Sequence, residues 1–444
     1  MRLTEERVRE ACAMGTKRPA VGGAQSNLEE LLAQIEESAD LPLPQAMSLP
    51  SAAYTSEEFF QWENEEVFRK EWLCVGHVSQ IPLAGDFLNL DLLGEPLIVV
   101  RGKDEQVRVL SRVCPHRAMD IMPEGFGYDG HGIGDRREEG GPDCGHARLF
   151  LCRYHSWTFE LDGGLKACPE MQEAEDFCRD EVGLKEFRSE VWEGFVFVNL
   201  DGEAPISVGE QLAGLQEKVA KWNCGEMVVV NAQEWDCPFN WKVMIENFME
   251  SYHHAGAHAK SLQTMMPAKD TWTEEEKAHY IRCHLPMKEK VRKEIAEQEA
   301  KGGQWDAFPK IEGLSDEERH EWGLHLGFPT FMFVVLADCA IWYRLQPESA
   351  GRCKLVTTML VPGETVKEEG FAEMLERGVR EATEFHLEDM EVCTAVQRGH
   401  YSRVTKPGRL SHLEMPVWLI QRYLAARSRG TWPTQDREPA QSQK

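Results

Sequence analysis

The chain is short of positive charge. Its 49 Lys and Arg face 75 Asp and Glu, a formal charge of −26 over 444 residues. Such a surface repels phosphate backbones and anionic lipid, which argues against nucleic acid or a membrane surface as a partner. Long hydrophobic runs are missing as well. The nearest, FMFVVLADCAIWY at 331–343, is short and holds Asp338, so no membrane span, which needs about 18 apolar residues, is expected. The opening residues MRLTEERVREACAMG are charged and lack the apolar stretch of a secretory leader, so none is expected. No P-loop, dinucleotide-binding glycine motif or internal repeat is visible.

What the chain does have is apolar mass. Hydrophobic residues make up 42%, with 13 Trp and 19 Phe, enough for real cores, and the length suits two domains. The 13 cysteines are odd in number and scattered from Cys12 to Cys393. That pattern suits a reducing cytoplasm in which thiolates are free to hold metal.

Hydrophobic periodicity divides the chain. Residues 1–45 read as an extension with one short helix, Asn27 to Glu37, and 46–72 as a segment carrying an amphipathic helix that packs with the second domain. From 73 to 200 the period shifts towards two, with short strands at 87–90, 97–100, 107–110 and 195–200 punctuated by glycine. Inside this β-rich domain, 124–147 is rich in Gly and charge and reads as an inserted loop without structured elements. Residues 201–435 mix helical patterns (208–222, 240–254, 286–300, 368–397) with strand patterns (227–232, 328–336, 340–345, 353–360), and 436–444 is a tail. The expected class is α+β: a small β-rich domain, then an antiparallel sheet with surrounding helices.

Two constellations carry chemistry. The first is Cys114-Pro115-His116 with Cys152-Arg153-Tyr154-His155, both on loop-like segments after short β runs. Two thiolates and two imidazoles suit a [2Fe–2S] cluster in which neutral histidines raise the potential. On spacing alone, structural zinc or no metal stays open. Cys144-Gly145-His146 repeats the C-x-H pattern but lies too close to Cys152 to belong to a separate loop. The second constellation sits at the end of the 240–254 pattern, where His253, His254 and His258 stand beside Glu250 and Asn247. Oxygen chemistry at Fe(II) wants two imidazoles and a carboxylate on one face, leaving the opposite positions open. Pure helix geometry favours His254 with His258, four apart. The carboxylate could come from Asp338, Asp389 or Glu391.

The wording around both constellations resembles the Rieske ring-hydroxylating oxygenases, alpha subunit or terminal component. The matching segments are Val113-Cys114-Pro115-His116-Arg117, Cys152-Arg153-Tyr154-His155-Ser156-Trp157, the Asn247-Phe248…Tyr252-His253…His258 run, and Phe385–Gly399 with its Glu388-Asp389 pair. The resemblance covers most of 50–400 and implies a helix-grip-like catalytic domain. By it, Cys114 and Cys152 hold one iron of the cluster and His116 and His155 the other. His253, His258 and Asp389 would hold a mononuclear Fe(2+), with a chain break at Gly256 allowing the spacing of five between the histidines. Glu250 takes the place of the family's bridging acid, where many relatives have Asp, and Asn247 stands near the iron. The 35 residues between His116 and Cys152 are about twice the family's usual spacing. The implied reaction is hydroxylation or dihydroxylation of an aromatic compound with O2. Electrons would come from NAD(P)H through a separate reductase, perhaps with a ferredoxin, and the assembly would be a homotrimer or carry a β subunit. A second reading is monooxygenation of a quaternary ammonium or N-methyl compound, and a third is an electron carrier or non-catalytic metal protein. Phe328, Phe331, Phe333 and Trp342 are the expected substrate-pocket residues, in a 322–345 region that also holds Trp322 and Tyr343.

Overall fold

A computed structural model of the chain describes residues 28–122, 134–136, 144–274, 277 and 279–432. The stretch before Leu28, most of the 124–147 insertion and the 436–444 tail lie outside the described residues. The chain divides into one unit made of 69–210 with 223–232, and a larger unit made of the remainder.

In the smaller unit the short β-branched and aromatic runs form strands β1 (Leu73–His77), β2 (Asp86–Leu92), β3 (Glu95–Arg101), β4 (Val107–Ser111), β5 (Gly134–Arg136), β6 (Cys144–Ala147), β7 (Phe150–Leu151), β8 (Thr158–Phe159), β9 (Leu165–Ala167), β10 (Glu186–Trp192) and β11 (Phe195–Asn199). Among the described residues one sheet runs β1-β11-β10-β4-β3-β2-β6-β5, and a second runs β7-β8-β9. The β2–β3 hairpin turns through Leu93 and Gly94, both with positive φ, the geometry that matches strand twist. Apolar side chains of Phe87, Ile98, Val100, Leu110, Phe150 and Phe159 enclose Cys114, Cys152 and Trp157 in one core.

The 124–147 segment departs from expectation. Its described parts are strands: β5 pairs with β6, and β6 pairs with the edge of β2, Asp86 opposite His146. Glycine and charge hid this from a periodicity reading, yet Gly145 is there for a packing reason. A Cβ on it would lie 2.3 Å from the Phe87 ring, so only glycine lets β6 lie against β2. Cys144 is buried, and His146 bonds Asp86 through Nδ1 at 2.9 Å, so this C-x-H is part of a strand.

The larger unit is built on β13 (Trp272–Thr273), β14 (Tyr280–Pro286), β15 (Glu321–Gly327), β16 (Phe331–Val335), β17 (Ala340–Ser349) and β18 (Arg352–Pro362), with the end of β12 (Met227–Cys237), whose first residues are counted in the smaller unit. Their order is β12-β18-β17-β16-β15-β14-β13, and β13 to β18 pair antiparallel, as a helix-grip-like sheet requires. Its longer helices are α1 (Leu28–Asp40), α2 (Glu57–Glu66), α3 (Trp241–Met249), α4 (Glu289–Ala300), α5 (Phe371–His400) and α6 (Met415–Ser428). Strands β14 and β15 and helix α6 were not visible as patterns in the sequence. Helix α6 has apolar residues all round and lies largely buried against α1 and α3. No described helix is long and apolar enough to cross a membrane.

Helix α5 positions the site. It is 30 residues long with a buried stripe of Gly378, Thr383, His386, Met390, Cys393 and Gln397. Gly378 is tied to packing: a Cβ there would come within 3.1 Å of the Phe308 ring. Helix α3, expected to continue to His254, stops at Met249. Its last residue's neighbour, Glu250, turns to extended backbone (φ −108°, ψ 147°), and a single 3-10 turn follows over Tyr252–Ala255.

Candidate metal centres

Each Cys/His pair occupies the tip of a loop built the same way. Ala118 and Ser156, each four residues after the loop's cysteine, take positive φ (55° and 61°). The Cys114 N–H donates to Met119 O and the Cys152 N–H to Trp157 O, which closes each loop. Cys114 and Cys152 are 1% and 2% exposed, while His155 lies at the surface and His116 is half-buried. The two imidazoles meet with ring centroids 4.6 Å apart, and His116 stacks on Trp157 at 4.7 Å. Burial, with the neighbouring Cys152, pushes the Cys114 thiol up to about 11. Metal ligation needs a thiolate, so iron would expel the Cys114 proton on binding. Inward thiols and outward imidazoles fit a [2Fe–2S] cluster with one enclosed iron and one reachable from solvent.

The second centre forms where the chain past α3 meets α5. His253, His258 and Asp389 each offer a ligand atom, all within 4.8 Å of one another. Asp389 Oδ1 is 2.9 Å from His258 Nε2 and 3.4 Å from His253 Nε2. The far nitrogens are held by carboxylates: Glu250 Oε1 accepts from His253 Nδ1 at 2.7 Å, and Glu388 Oε2 accepts from His258 Nδ1 at 2.6 Å. With both Nδ1 atoms held by carboxylates, both Nε2 atoms converge on one carboxylate oxygen, an arrangement satisfied by protons or by a metal cation between them. The charge preferences agree. Burial opposes it, yet Asp389 and Glu250 hold His253 up at about 10, while hydrogen bonds from His253 and His258 pull the buried Asp389 carboxyl far down. Two imidazoles and one carboxylate with space on the opposite side are the donor set of a mononuclear Fe(II) site.

His254, the rival from helix geometry, stands outside the group. Its Nδ1 bonds Met266 O at 3.0 Å, and burial lowers its ring to about 4, leaving it neutral. The spacing of five works because the helix has already ended at Glu250, not because of a break at Gly256, whose φ is −102°. Asn247 donates to Asp389 Oδ1 at 3.2 Å. Glu391 is exposed, and Asp338 lies on the β16–β17 turn, so neither joins the triad. Glu388 escaped the sequence reading; its only signal was its place beside Asp389.

A cavity of about 420 Å³ opens from the triad. Aromatic walls come from Phe248, Trp305, Phe308, Trp322, Tyr343 and Phe385. The four residues expected there, Phe328, Phe331, Phe333 and Trp342, do not line it. The reason is strand alternation: Val334, Ile341 and Tyr343 face the cavity, so Phe333 and Trp342 point to the other side of the sheet. There Phe331 and Phe333 pack together at 4.9 Å, and Phe328 stacks on Tyr423 at 4.4 Å. Trp305 and Phe308 belong to a coil whose approach to the cavity has no periodic signal.

The family model "Rieske [2Fe-2S] domain" matches residues 71–187, and "Ring hydroxylating alpha subunit (catalytic domain)" matches 224–430. The carnitine monooxygenase oxygenase subunit of Acinetobacter baumannii is 32% identical over 216 residues, 48% of this chain and 53% of that protein. The biphenyl 2,3-dioxygenase alpha subunit of Rhodococcus jostii is 30% identical over 220 residues, 48% of this chain and 44% of that protein. The chain is thus matched over about half the length of these curated relatives. A solved structure of a quaternary ammonium Rieske monooxygenase shares the fold, with a TM-score of 0.70 at 22% identity over 91% of this chain and 100% of that one.

Proposed function

Because the chain has the architecture of a Rieske non-haem iron oxygenase, a Rieske domain followed by the catalytic domain of a ring-hydroxylating alpha subunit, we propose that it is the terminal component of a monooxygenase acting on a quaternary ammonium or N-methyl compound. Aromatic hydroxylation, first by family frequency, gives way on two grounds. The relatives named for carnitine and for quaternary ammonium compounds support the second reading. The observation that carries it is the cavity itself: aromatic faces of Tyr343, Trp322 and Phe385 beside the triad suit an ammonium group, which cannot shed its charge and gains from ring quadrupoles.

When bound, the mononuclear iron and the [2Fe–2S] cluster supply O2 activation and electron delivery. The chain's part is positional. Glu250 and Glu388 keep the Nδ1 protons of His253 and His258 in place, so both Nε2 atoms stay available as donors to metal. Asn247 donates to Asp389 Oδ1, the oxygen that faces both Nε2 atoms, and so helps hold that carboxylate in place. The aromatic walls exclude water and hold a methyl group toward the triad. Net, one oxygen atom enters a C–H bond next to nitrogen and the other leaves as water, using two electrons and two protons. The hydroxylated carbon then parts from nitrogen as an aldehyde, leaving the amine. Electrons come from a separate NAD(P)H-dependent reductase, and a trimer would place one subunit's cluster next to another's iron.

The test is oxidation of the reduced cluster, followed in the visible spectrum with O2 present, while quaternary ammonium compounds or aromatic acids are added. Faster oxidation with aldehyde release in the first series supports the reading. Acceleration by the aromatic series alone, with hydroxylated product, would overturn it.

A further inference from the structure

The cavity has two ends. Helix α5 lines it with Asp389, then Phe385 and His386, then Glu381 and Ala382, then Arg377 and Gly378, a helical stripe spanning about 18 Å from the triad at 1.5 Å per residue. Strand β17 and the turn before it line the opposite wall with Tyr343, Ile341 and Cys339, about 14 Å at strand rise. At the near end Tyr343 packs on Phe248 at 4.8 Å and faces His386 at 6.3 Å. At the far end Asp338 Oδ2 accepts from Phe308 N at 2.9 Å, and Arg377 Nη1 reaches Asp306 O at 3.3 Å.

The far end is acidic. Asp306, Asp338 and Glu381 all line it, and Arg377 is the one Lys or Arg among the described lining residues. That arginine is already used: Nε bonds Glu381 at 2.9 Å, Nη1 bonds the carbonyls of Gln304 and Asp306, and Nη2 bonds that of Trp305. Lys310 stands 3.9 Å from Asp306 but does not line the cavity. Asp338 is 4% exposed; its carboxyl accepts from the Phe308 N–H and the Cys339 thiol, and among the described residues no Lys, Arg or His is in contact with it. A buried carboxyl in a cavity wall without a cation keeps its proton more readily, and a cationic group entering the cavity favours its ionised form.

We propose that Asp338 is a specificity residue that receives the tail of the substrate, so that the preferred substrate is an N-methyl cation whose far end donates hydrogen bonds, as an amine or hydroxyl, and carboxylate-tailed zwitterions are rejected. This rests on the reading of the near end given above. It separates the chain from an enzyme built for carnitine, whose tail is a carboxylate. Burial, with Asp306 as neighbour, holds the Asp338 carboxyl up at about 7, as a group lacking its counter-charge.

The experiment, run at about pH 8 or above so that the Asp338 carboxyl is ionised, compares trimethylammonium alkanes ending in amine, hydroxyl or carboxylate, with spacer lengths that bracket the cavity, as substrates of the iron-loaded enzyme. The expected order of kcat/KM is amine, then hydroxyl, then carboxylate, with about tenfold or more between the first and last, from like-charge rejection in an enclosed site. In Asp338→Asn the side-chain oxygen still accepts from Phe308, so the turn is kept while the charge is lost; the amine-to-carboxylate ratio should collapse toward unity, chiefly through KM. A wild-type preference for carboxylate tails overturns the inference and leaves the proposed function standing, as does an unchanged ratio in a folded, iron-loaded Asp338→Asn enzyme. If no trimethylammonium compound of any tail is oxygenated, both readings fall. Should the variant fail to fold, the wild-type order alone decides.

Discussion

Replacing Glu388 by Gln tests whether the triad is a metal site tuned from behind. Glu388 Oε2 accepts two short hydrogen bonds, from His258 Nδ1 and from Ser261 Oγ, both at 2.6 Å. Gln keeps an acceptor at that place but removes the negative charge, so His258 becomes a weaker donor to metal through Nε2. Losses of this kind cost about 10–100-fold in metal affinity, and the lower end is expected here because the Glu388 side chain is 38% exposed. Tenfold corresponds to about 1.4 kcal/mol. Fold stability should change little, since the side chain is more than a third exposed and Gln can still accept a hydrogen bond at that place. The assay is competition with a graded chelator, counting mononuclear iron per chain while the visible spectrum of the [2Fe–2S] cluster serves as an internal standard. Glu388→Ala, which removes both bonds, should lie further along the same scale. Wild-type iron retention in both variants would refute the argument. Loss of cluster and iron together would mean that the substitution damages the fold and that the affinity argument is wrong.

Other consequences are independent of that one. Cys152→Ser should abolish the cluster spectrum while the mononuclear site still takes up iron, as read by metal content and visible absorption; an intact spectrum would remove Cys152 from the ligand set. Gly145→Ala should destabilise the smaller unit by about 1–3 kcal/mol through overpacking on the Phe87 ring, seen as a lower denaturation midpoint; no change would show that β6 can move away freely. Asp338 carries its proton to about pH 7 in the folded chain, whereas an unfolded chain gives it up near 4. The folded state therefore binds the extra proton in that window, and stability falls as pH rises through it, by as much as ~3–4 kcal/mol from this group. Thermal melts from pH 5 to 8 should show a steeper decline in wild type than in Asp338→Asn, and parallel curves would contradict the assignment.

The Cys/His pairs of the first set and the histidines of the second each lie within a few residues of one another, so their presence was legible in the sequence; but helix geometry alone favours His254 over His253, and the choice of His253, with Asp389 about 130 residues further on, came from the family resemblance. The helix-grip sheet was legible only in part. Strands β16 to β18 showed as apolar runs, but β14 and β15 carry Arg282, His284 and His325 on a buried face, and charge in a strand masks its period. The 124–147 segment failed for a related reason: Gly145 reads as loop, while its function is to let two backbones approach.

The pocket expectation failed more instructively. The four expected aromatic residues come from one continuous stretch, although a strand sends neighbours to opposite faces. Half of that stretch had to be wrong, and composition cannot say which half. Trp322, Leu324, Val334, Ile341 and Tyr343 face the cavity because helix α5, which carries Asp389, lies on that side of the sheet, a fact held in contacts across more than 40 residues of sequence. The same helix carries Asp389 at one level and Glu381 and Arg377 two to three turns earlier. One rigid element thus holds the iron ligand and the residues that border the far end of the cavity. A tail seated against Asp338, in the turn that opens β17, would be measured from the metal along α5 and β17, so the distance between the recognised group and the oxidised carbon is set largely by two regular elements. Substrate length, on this argument, should matter as much as substrate charge.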